Sequence, residues 1–213
     1  KEMIPTSAVR KMHEEHPNIV DLLESGKIPV KAEDSVKNMV GSLQDDGEPC
    51  PEPLDQMLRP YQMRGFMWMQ ALDRLHMGGI LADDMGLGKT VQVLSYLLAM
   101  KESGQRLPSL IVCPASLVLN WQEECQKFTP QLSCVAVDGD AAHRAELAKQ
   151  WAEADLVVTS YDLMRRDEEL YSGQQFYACI LDEAQAIKNH TTQKYKAAVS
   201  YTHLRAHETV LDL

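Results

Sequence analysis

The fold of this chain follows from the run Ile80-Leu81-Ala82-Asp83-Asp84-Met85-Gly86-Leu87-Gly88-Lys89-Thr90. Its apolar beginning predicts a buried parallel strand, its glycines a turn, and the apolar-periodic residues beyond it a helix. Gly86 and Gly88 leave no side chain between the main-chain N–H groups and a phosphate oxygen. Lys89 adds positive charge for the β and γ phosphates, and the Thr90 hydroxyl can bind Mg²⁺. Because a helix N-terminus also favours an anion, the run predicts a loop that holds a nucleotide triphosphate.

This run departs from the general phosphate-loop pattern G-x-x-x-x-G-K-[ST] at one position, because Asp83 stands where the pattern has its first glycine. A purely structural alternative is a strand–turn–helix corner in which the glycines only permit the bend. The Gly-Lys-Thr triplet favours the phosphate loop, since it lies between an apolar strand and an apolar-periodic helix.

Composition narrows the class of protein. With 213 residues, 45% of them hydrophobic, the chain can bury a core and form one or two domains. No segment is apolar enough to span a bilayer and no signal peptide is evident, so a cytoplasmic protein without a membrane partner is expected. Five cysteines without C-x-x-C spacing indicate reduced thiols. The net charge of −10 excludes a globally basic DNA-coating protein, so any nucleic-acid contact must come from a local patch.

The domain organisation is predicted from the charge and the turn residues. Residues 1–56 hold six basic and twelve acidic residues, and they predict a small, mostly helical segment that ends in an acidic, proline-rich linker. Residues 57–200 contain the phosphate loop and form the second domain.

Beyond the phosphate loop, apolar strands and helices alternate along the chain. Strands are predicted at 110–113, 133–137, 156–159 and 177–181, with helices between them. This order predicts an α/β fold with a parallel β-sheet and helices on both faces. Ligands bind such sheets at the carboxyl ends of the strands, which here lead into the loops 83–88, 114–116, 160–161 and 182–185.

A second group of chemical side chains follows the last predicted strand, Asp182-Glu183-Ala184-Gln185. Asp182 can hold the Mg²⁺ that Thr90 also binds, and Glu183 can orient an attacking water. An acidic pair at a strand end also occurs as a helix cap, and the pair alone leaves both interpretations open. Its position after a phosphate loop, in the expected order, favours the functional one.

These residues resemble the Swi/Snf family of DNA-translocating ATPases in helicase superfamily two, over about residues 58–198. The aspartate at position 83 is the residue that this family carries there. Gln185, where many relatives have histidine, indicates a bacterial version. The matching motifs are Leu58-Arg59-Pro60-Tyr61-Gln62 on the adenine side, residues 79–92 as motif I, 114–121 and 159–162 as motifs Ia and Ib, and 182–185 as motif II.

The resemblance implies an N-terminal RecA-like lobe that couples ATP hydrolysis to movement along double-stranded DNA and remodels DNA-bound proteins. Its cofactors would be ATP and Mg²⁺. Its partners would be the DNA backbone, contacted without sequence specificity, and DNA-bound proteins or RNA polymerase. It would lie at the nucleoid in a bacterium or in the nucleus of a eukaryote. The alternatives are a strand-separating helicase and a nucleotide-responsive binding module that does not hydrolyse ATP.

The same resemblance implies a role for each matching residue. Gln62 would read the adenine edge, Asp182 would hold the magnesium, and Glu183 would orient the water. Lys89, Asp182 and Glu183 form the implied catalytic set. The implied ATP-binding residues are Gln62, Asp84, Met85, Gly86, Leu87, Gly88, Lys89 and Thr90, and those implied to touch DNA phosphates are Ser116, Ser160 and Tyr161.

Residues 201–213 resemble none of the family's motifs, although a strand with a Thr-Gly-Thr-Pro-type motif is expected after residues 188–199. We expect this tail to be foreign sequence that follows a truncated coding region, the alternative being a divergent natural C-terminus. Sequencing the source gene past the codon for Ser200 tests this. We expect the ATP-binding lobe in this chain to be incomplete and the second lobe, with its arginine fingers, to be missing. The chain alone should therefore bind ATP poorly and hydrolyse hardly any.

Overall fold

The computed structural model describes residues 47–81, 86–187 and 210–212. The chain divides into two compact units, Lys1–Asp45 and Asp46–Leu213, and every described residue belongs to the second. The helices predicted for the N-terminal segment lie outside the described residues, as do Asp84 and Met85. The domain boundary predicted between residues 56 and 57 stays a prediction.

The described part of the second unit is built on a six-stranded sheet whose neighbouring strands all run parallel. The strands are β1 Gly79–Ile80, β2 Ser109–Cys113, β3 Cys134–Ala136, β4 Leu156–Ser160, β5 Cys179–Leu181 and β6 Val210–Asp212. Their spatial order is β1-β6-β5-β2-β4-β3. The prediction of a parallel α/β fold is confirmed.

Helices connect these strands along the chain. They are α1 Leu54–Met57, α2 Pro60–Arg74, α3 Lys89–Glu102, α4 Val118–Phe128, α5 Ala141–Ala148, α6 Tyr161–Arg166 and α7 Glu168–Ser172, with short 3₁₀ turns at Ala115–Leu117, Trp151–Glu153 and Ala184–Ile187. Proline in the first turn of α2 suits a helix start, because the missing N–H has no partner there in any case. Among the described residues, every helix is too short or too polar to cross a lipid bilayer.

Both faces of the sheet are covered by apolar side chains, as a parallel sheet requires. In β2, Ile111 and Cys113 belong to one core, while Leu110 and Val112 belong to the other. This split follows from the alternation of side chains along a strand. The first core, core A, contains side chains of α2, α3 and α4, and the second, core B, contains side chains of α6, α7 and the turn at Trp151.

The strands that carry the candidate site end side by side. Cys113 of β2 pairs with Ser160 of β4, and Val112 pairs with Leu181 of β5. The loops that follow β2, β4 and β5 therefore leave the sheet at the same edge, as the sequence predicts. β1 differs from its prediction as a buried strand. Leu81 is buried but Ile80 is 65% exposed, because β1 is an edge strand among the described residues.

β6 lies within the stretch for which we expect a foreign origin. Leu211 is in register with Gly79 of β1 and with Ile180 of β5, so β6 lies between these two strands. Strand pairing uses backbone N–H and C=O groups, and every residue other than proline carries both. The pairing of β6 therefore does not show whether its sequence is native. The foreign origin of residues 201–213 stays a prediction.

Part of the acidic, proline-rich run packs against the rest of the second unit. Leu54 is fully buried in core A, and the Gln70 side-chain amide donates a hydrogen bond to the Glu48 carbonyl at 2.9 Å. Burial of a leucine side chain stabilises a fold by roughly 1.5–3 kcal/mol. Residues from Glu48 onward are therefore tied to α2.

Two ion pairs join elements that are distant in sequence. Arg144 of α5 donates from Nε and Nη2 to the two carboxylate oxygens of Asp167 at 2.5 and 2.8 Å, and both side chains are almost fully buried. The Lys101 ammonium lies 2.7 Å from the Asp155 carboxylate. Burial acts to raise the pKa of Asp155, but Lys101 and hydrogen bonds from Ser133 outweigh it and hold that pKa below its usual value.

Candidate nucleotide-binding site

The glycines of the predicted phosphate loop adopt the backbone conformation that the sequence suggests. Gly86 and Gly88 have φ angles of 81° and 74°, in the left-handed region that favours glycine. α3 begins directly afterwards, with Lys89 and Thr90 in its first turn. Among the described residues, no atom lies within 4 Å of the position that a Cβ on Gly86 would take. Within the part of the chain that the structure describes, space for a phosphate group is therefore left beside Gly86.

The residue predicted to read adenine lies against this loop. Gln62 Nε2 donates to the Leu87 carbonyl at 2.9 Å, and its Oε1 accepts from the Arg59 amide at 2.9 Å. The Tyr61 hydroxyl donates to the same Leu87 carbonyl at 3.1 Å. The adenine contact of Gln62 stays a prediction, because both ends of its amide are engaged and a base would have to replace one of these bonds. From the sequence alone, Tyr61 is assigned no role. Its position next to Gln62 is the feature of the sequence that could have indicated one.

Asp182 is held at the end of β5 by bonds to three other elements. Its amide donates to the Val112 carbonyl at 2.8 Å, which continues the pairing of β5 with β2. Its carboxylate Oδ2 accepts a hydrogen bond from the Trp121 indole at 2.8 Å, and its carbonyl accepts one from the Tyr161 hydroxyl at 2.9 Å. Trp121 is part of motif Ia in the sequence, but nothing in the sequence predicts its contact with Asp182.

The charge state of Asp182 depends on its burial and on its neighbours. Burial raises the pKa of this carboxyl above its usual value, and the Glu183 carboxylate acts in the same direction. The Trp121 indole N–H and the Lys89 ammonium act in the opposite direction and favour the ionised form. The charge of Lys89 thus acts on Asp182, which places the lysine of the phosphate loop and the acidic residue of β5 within electrostatic reach of each other.

Glu183 has an uncommon backbone conformation. Its φ angle is 53°, in the left-handed region that residues other than glycine seldom adopt. Such a conformation costs about 1–3 kcal/mol and occurs often at active sites. Its carboxylate accepts a hydrogen bond from the Gln185 side-chain amide. The water-orienting role of Glu183 stays a prediction.

The residues at this edge of the sheet fit Mg²⁺ and a triphosphate. Mg²⁺ takes oxygen ligands and is usually held by one or two protein groups together with substrate phosphates. Thr90 supplies a half-buried hydroxyl, and Asp182 supplies a carboxylate. A carboxylate has about four lone-pair positions, so the bonds from the Trp121 indole and the Glu183 amide leave room for a cation.

The three residues predicted to touch DNA phosphates differ in accessibility. Ser116 is exposed on the turn before α4. Ser160 is buried and its hydroxyl caps α6 by accepting from the Leu163 amide at 3.2 Å. Tyr161 is also buried, and its hydroxyl is engaged with Asp182. The hydroxyls of Ser160 and Tyr161 make hydrogen bonds within the protein. The DNA contact stays a prediction for all three residues.

The parallel sheet, the glycine-lysine-threonine loop and the acidic strand end define the ATP-binding lobe of a P-loop ATPase. The sequence model of the SNF2-related domain matches residues 61–209, and the chain belongs to this family, the Swi/Snf group of helicase superfamily two. The resemblance seen in the sequence is confirmed.

Two relatives and one solved structure illustrate the similarity. The chain is 39% identical over 173 residues to the TATA-binding protein-associated factor mot1 of Aspergillus fumigatus, covering 76% of this chain and 9% of that protein. It is 44% identical over 142 residues to the putative ATP-dependent helicase/translocase YwqA of Bacillus subtilis, covering 66% of this chain and 15% of that protein. The Sulfolobus solfataricus SWI2/SNF2 ATPase core in complex with dsDNA superposes with a TM-score of 0.66 at 33% identity, covering 80% of this chain and 33% of that one.

The chain thus spans only a small part of these curated relatives, 9% of one and 15% of the other. The RecA-like fold of a Swi/Snf ATPase lobe is confirmed by the structural match. The relatives include both fungal and bacterial proteins, so the bacterial origin suggested by Gln185 stays a prediction.

Proposed function

We propose that this chain is the ATP-binding lobe of a DNA-dependent ATPase that couples ATP hydrolysis to movement along double-stranded DNA and remodels proteins bound to it. The observation that carries the proposal is the loop geometry: Gly86 and Gly88 are left-handed and lead directly into Lys89 at the start of α3. Asp182, held at the end of β5 by its bonds to Val112 and Trp121, supplies the acidic group that such a loop needs. The names of two similar proteins, a putative ATP-dependent helicase/translocase and an ATPase core in complex with dsDNA, support it.

The residues of the chain contribute positioning and charge, which supply most of the rate in phosphoryl transfer. The amides of the loop around Gly86 and Gly88 bind the phosphates, and Lys89 balances the negative charge of the β and γ groups. Asp182 and Thr90 would hold Mg²⁺, and the ion would supply positive charge at the phosphates. Glu183 orients the water that attacks the γ phosphate.

DNA would bind through its backbone at the loop that contains Ser116. Hydroxyl and amide contacts to phosphate position a protein on DNA but convey no sequence, which suits a motor that moves along any duplex. The net charge of −10 means that this contact is local. We therefore propose a location at the nucleoid in a bacterium, or in the nucleus of a eukaryote, with DNA-bound proteins as further partners.

Replacing Lys89 by alanine tests the proposal, with Lys149→Ala as a matched control. Lys149 is an exposed lysine outside the candidate site, and it forms an ion pair with Glu146 on the surface. Titration with a fluorescent ATP analogue in the presence of Mg²⁺ measures binding, and DNA-stimulated phosphate release measures turnover in a protein that also carries the second lobe. We expect Lys89→Ala to lose both and Lys149→Ala to keep both.

Two results would contradict the proposal. Unchanged function of the Lys89→Ala variant would indicate a binding module that does not need the nucleotide. Displacement of one DNA strand from a duplex would indicate a strand-separating helicase instead of a translocase.

A further inference from the structure

The inference concerns the hydrogen bond between Trp121 and Asp182, which joins residues 61 positions apart in sequence. The indole Nε1 donates to the Asp182 Oδ2 at 2.8 Å. An indole has a single N–H donor and no acceptor, so this bond uses all the hydrogen-bonding capacity of the side chain. Trp121 is therefore directed at one carboxylate oxygen.

The rest of the Trp121 side chain is fixed by packing. It is 1% exposed and belongs to core A, beside side chains of α3 and the central strands. Close packing restricts a buried ring to one rotamer. The N–H is consequently a donor in a fixed position, and the carboxylate oxygen that it contacts is fixed with it.

A second donor holds Asp182 from the other face of the sheet. The Tyr161 hydroxyl donates to the Asp182 carbonyl at 2.9 Å, and the Tyr161 side chain belongs to core B. The backbone of Asp182 is thus held from core B, and its carboxylate is held from core A. Two independent packed layers restrict the residue.

We propose that Trp121 is a positioning residue for the metal-binding carboxylate, whose indole N–H keeps Asp182 in the orientation that binds Mg²⁺. The inference rests on the proposed function. Groups that hydrogen-bond to metal ligands orient them, and removing such a group typically lowers metal affinity about 10- to 100-fold.

The test is a comparison of Trp121→Phe with Trp151→Phe. Phenylalanine keeps an aromatic ring in the core and removes the N–H. Trp151 is the matched control because it is fully buried and its Nε1 has no hydrogen-bond partner among the described residues. Binding of a fluorescent ATP analogue is measured in a protein that also carries the second lobe, with saturating Mg²⁺ and again in EDTA.

We expect Trp121→Phe to weaken binding in Mg²⁺ by about 10-fold or more and to leave binding in EDTA within about twofold. Trp151→Phe should change neither value. An equal loss in both conditions would show that Trp121 acts only on the stability of the fold and would overturn the inference. So would unchanged binding of Trp121→Phe in Mg²⁺.

A second measurement does not depend on the folding of Trp121→Phe. The chain has three tryptophans, so a ¹⁵N-labelled sample gives three indole N–H resonances. Asp182→Asn should shift the Trp121 resonance and leave that of Trp151 in place, and adding Mg²⁺ with the nucleotide to the wild type should also shift it. A Trp121 resonance that responds to neither would overturn the inference.

Failure of the inference can be told from failure of the proposed function. If wild-type binding depends on Mg²⁺ and is lost in Lys89→Ala, but Trp121→Phe behaves as the wild type, only the inference fails. If the wild type binds the nucleotide without any dependence on Mg²⁺, both fail.

Discussion

The replacement of Gly88 by alanine should damage the phosphate loop more than the replacement of Gly86. Both glycines have positive φ angles, 74° and 81°, so alanine is strained at either position. The difference lies in their surroundings. A Cβ on Gly88 would lie 2.4 Å from the Gln62 Nε2, whereas a Cβ on Gly86 meets no described atom within 4 Å.

The loss of stability in each variant follows from the backbone strain and, at Gly88, from the displacement of Gln62. The left-handed conformation costs an alanine about 1–2 kcal/mol, and this cost applies at both positions. At Gly88 the Gln62 amide must also move, which breaks its bonds to the Leu87 carbonyl and the Arg59 amide. A hydrogen bond contributes about 0.5–1.5 kcal/mol, so Gly88→Ala should cost about 1–3 kcal/mol more than Gly86→Ala.

Guanidinium chloride unfolding of the nucleotide-free chain measures the difference. The two single variants are compared with each other and with Gln62→Ala and Gln62→Ala/Gly88→Ala. Truncation of Gln62 removes the nearest atom that the new Cβ would strike and leaves the Val91 Cγ1, at 3.2 Å, as the next. In that background the cost of Gly88→Ala should fall to about 1–2 kcal/mol, the value for Gly86→Ala. Equal costs for the two single variants, or no relief in the Gln62→Ala background, would refute this reasoning.

Three further predictions concern stability and thiol chemistry. Arg144→Met leaves the buried Asp167 carboxylate unpaired and should cost about 3–5 kcal/mol, measured as a fall in the thermal unfolding midpoint of roughly 6–20 °C. The Asp155 carboxylate, whose pKa lies below its ordinary value despite burial, contributes stability above about pH 4 and loses it as the pH falls through its folded pKa. Urea unfolding should therefore separate Asp155→Asn from the wild type at neutral pH, and the difference should shrink as the pH falls through the folded pKa of Asp155. Burial raises the pKa of the Cys179 thiol to about 12, so at pH 8 a disulfide reagent should label it only after unfolding.

Each of these predictions has a control. Arg144→Met/Asp167→Leu removes both charges and should recover much of the stability lost in the single variant, since no buried charge remains unpaired. Glu153→Gln, at an exposed position near Asp155, should leave the pH dependence unchanged. Native-state labelling of Cys179 at the rate of a free cysteine would contradict its burial.

The sequence by itself determined the features that depend on neighbouring residues. The two glycines, Lys89 and Thr90 are consecutive or nearly so, and covalent geometry fixes their spacing before any tertiary contact forms. The alternation of apolar strands with helices determined the parallel sheet, because parallel strands need a crossover connection. By the same reasoning, the Asp-Glu pair is predicted to lie at the carboxyl edge of the sheet, because it follows an apolar strand. In the structure, the charge of Lys89 acts on Asp182 at this edge.

Only the tertiary structure decided which polar groups face solvent and which face each other. Nothing in the sequence indicates that the hydroxyls of Ser160 and Tyr161 bond to the Leu163 amide and the Asp182 carbonyl. Arg144 lies on a helix that the sequence also predicts, yet its guanidinium is buried against Asp167. These pairings join elements distant in sequence, and helical periodicity shows that a face is apolar without showing what it meets.

Trp121 shows the same limit at the candidate site itself. It lies three residues after Val118 and four before Cys125, on one face of α4, and all three residues are buried in core A. From the sequence, Trp121 is identified as part of a motif, and its side chain is assigned no position. That its single N–H points at Asp182 depends on how α4 packs against α3, β3 and β4, because the contacts around the ring set the direction of a buried donor and its neighbours in the chain do not.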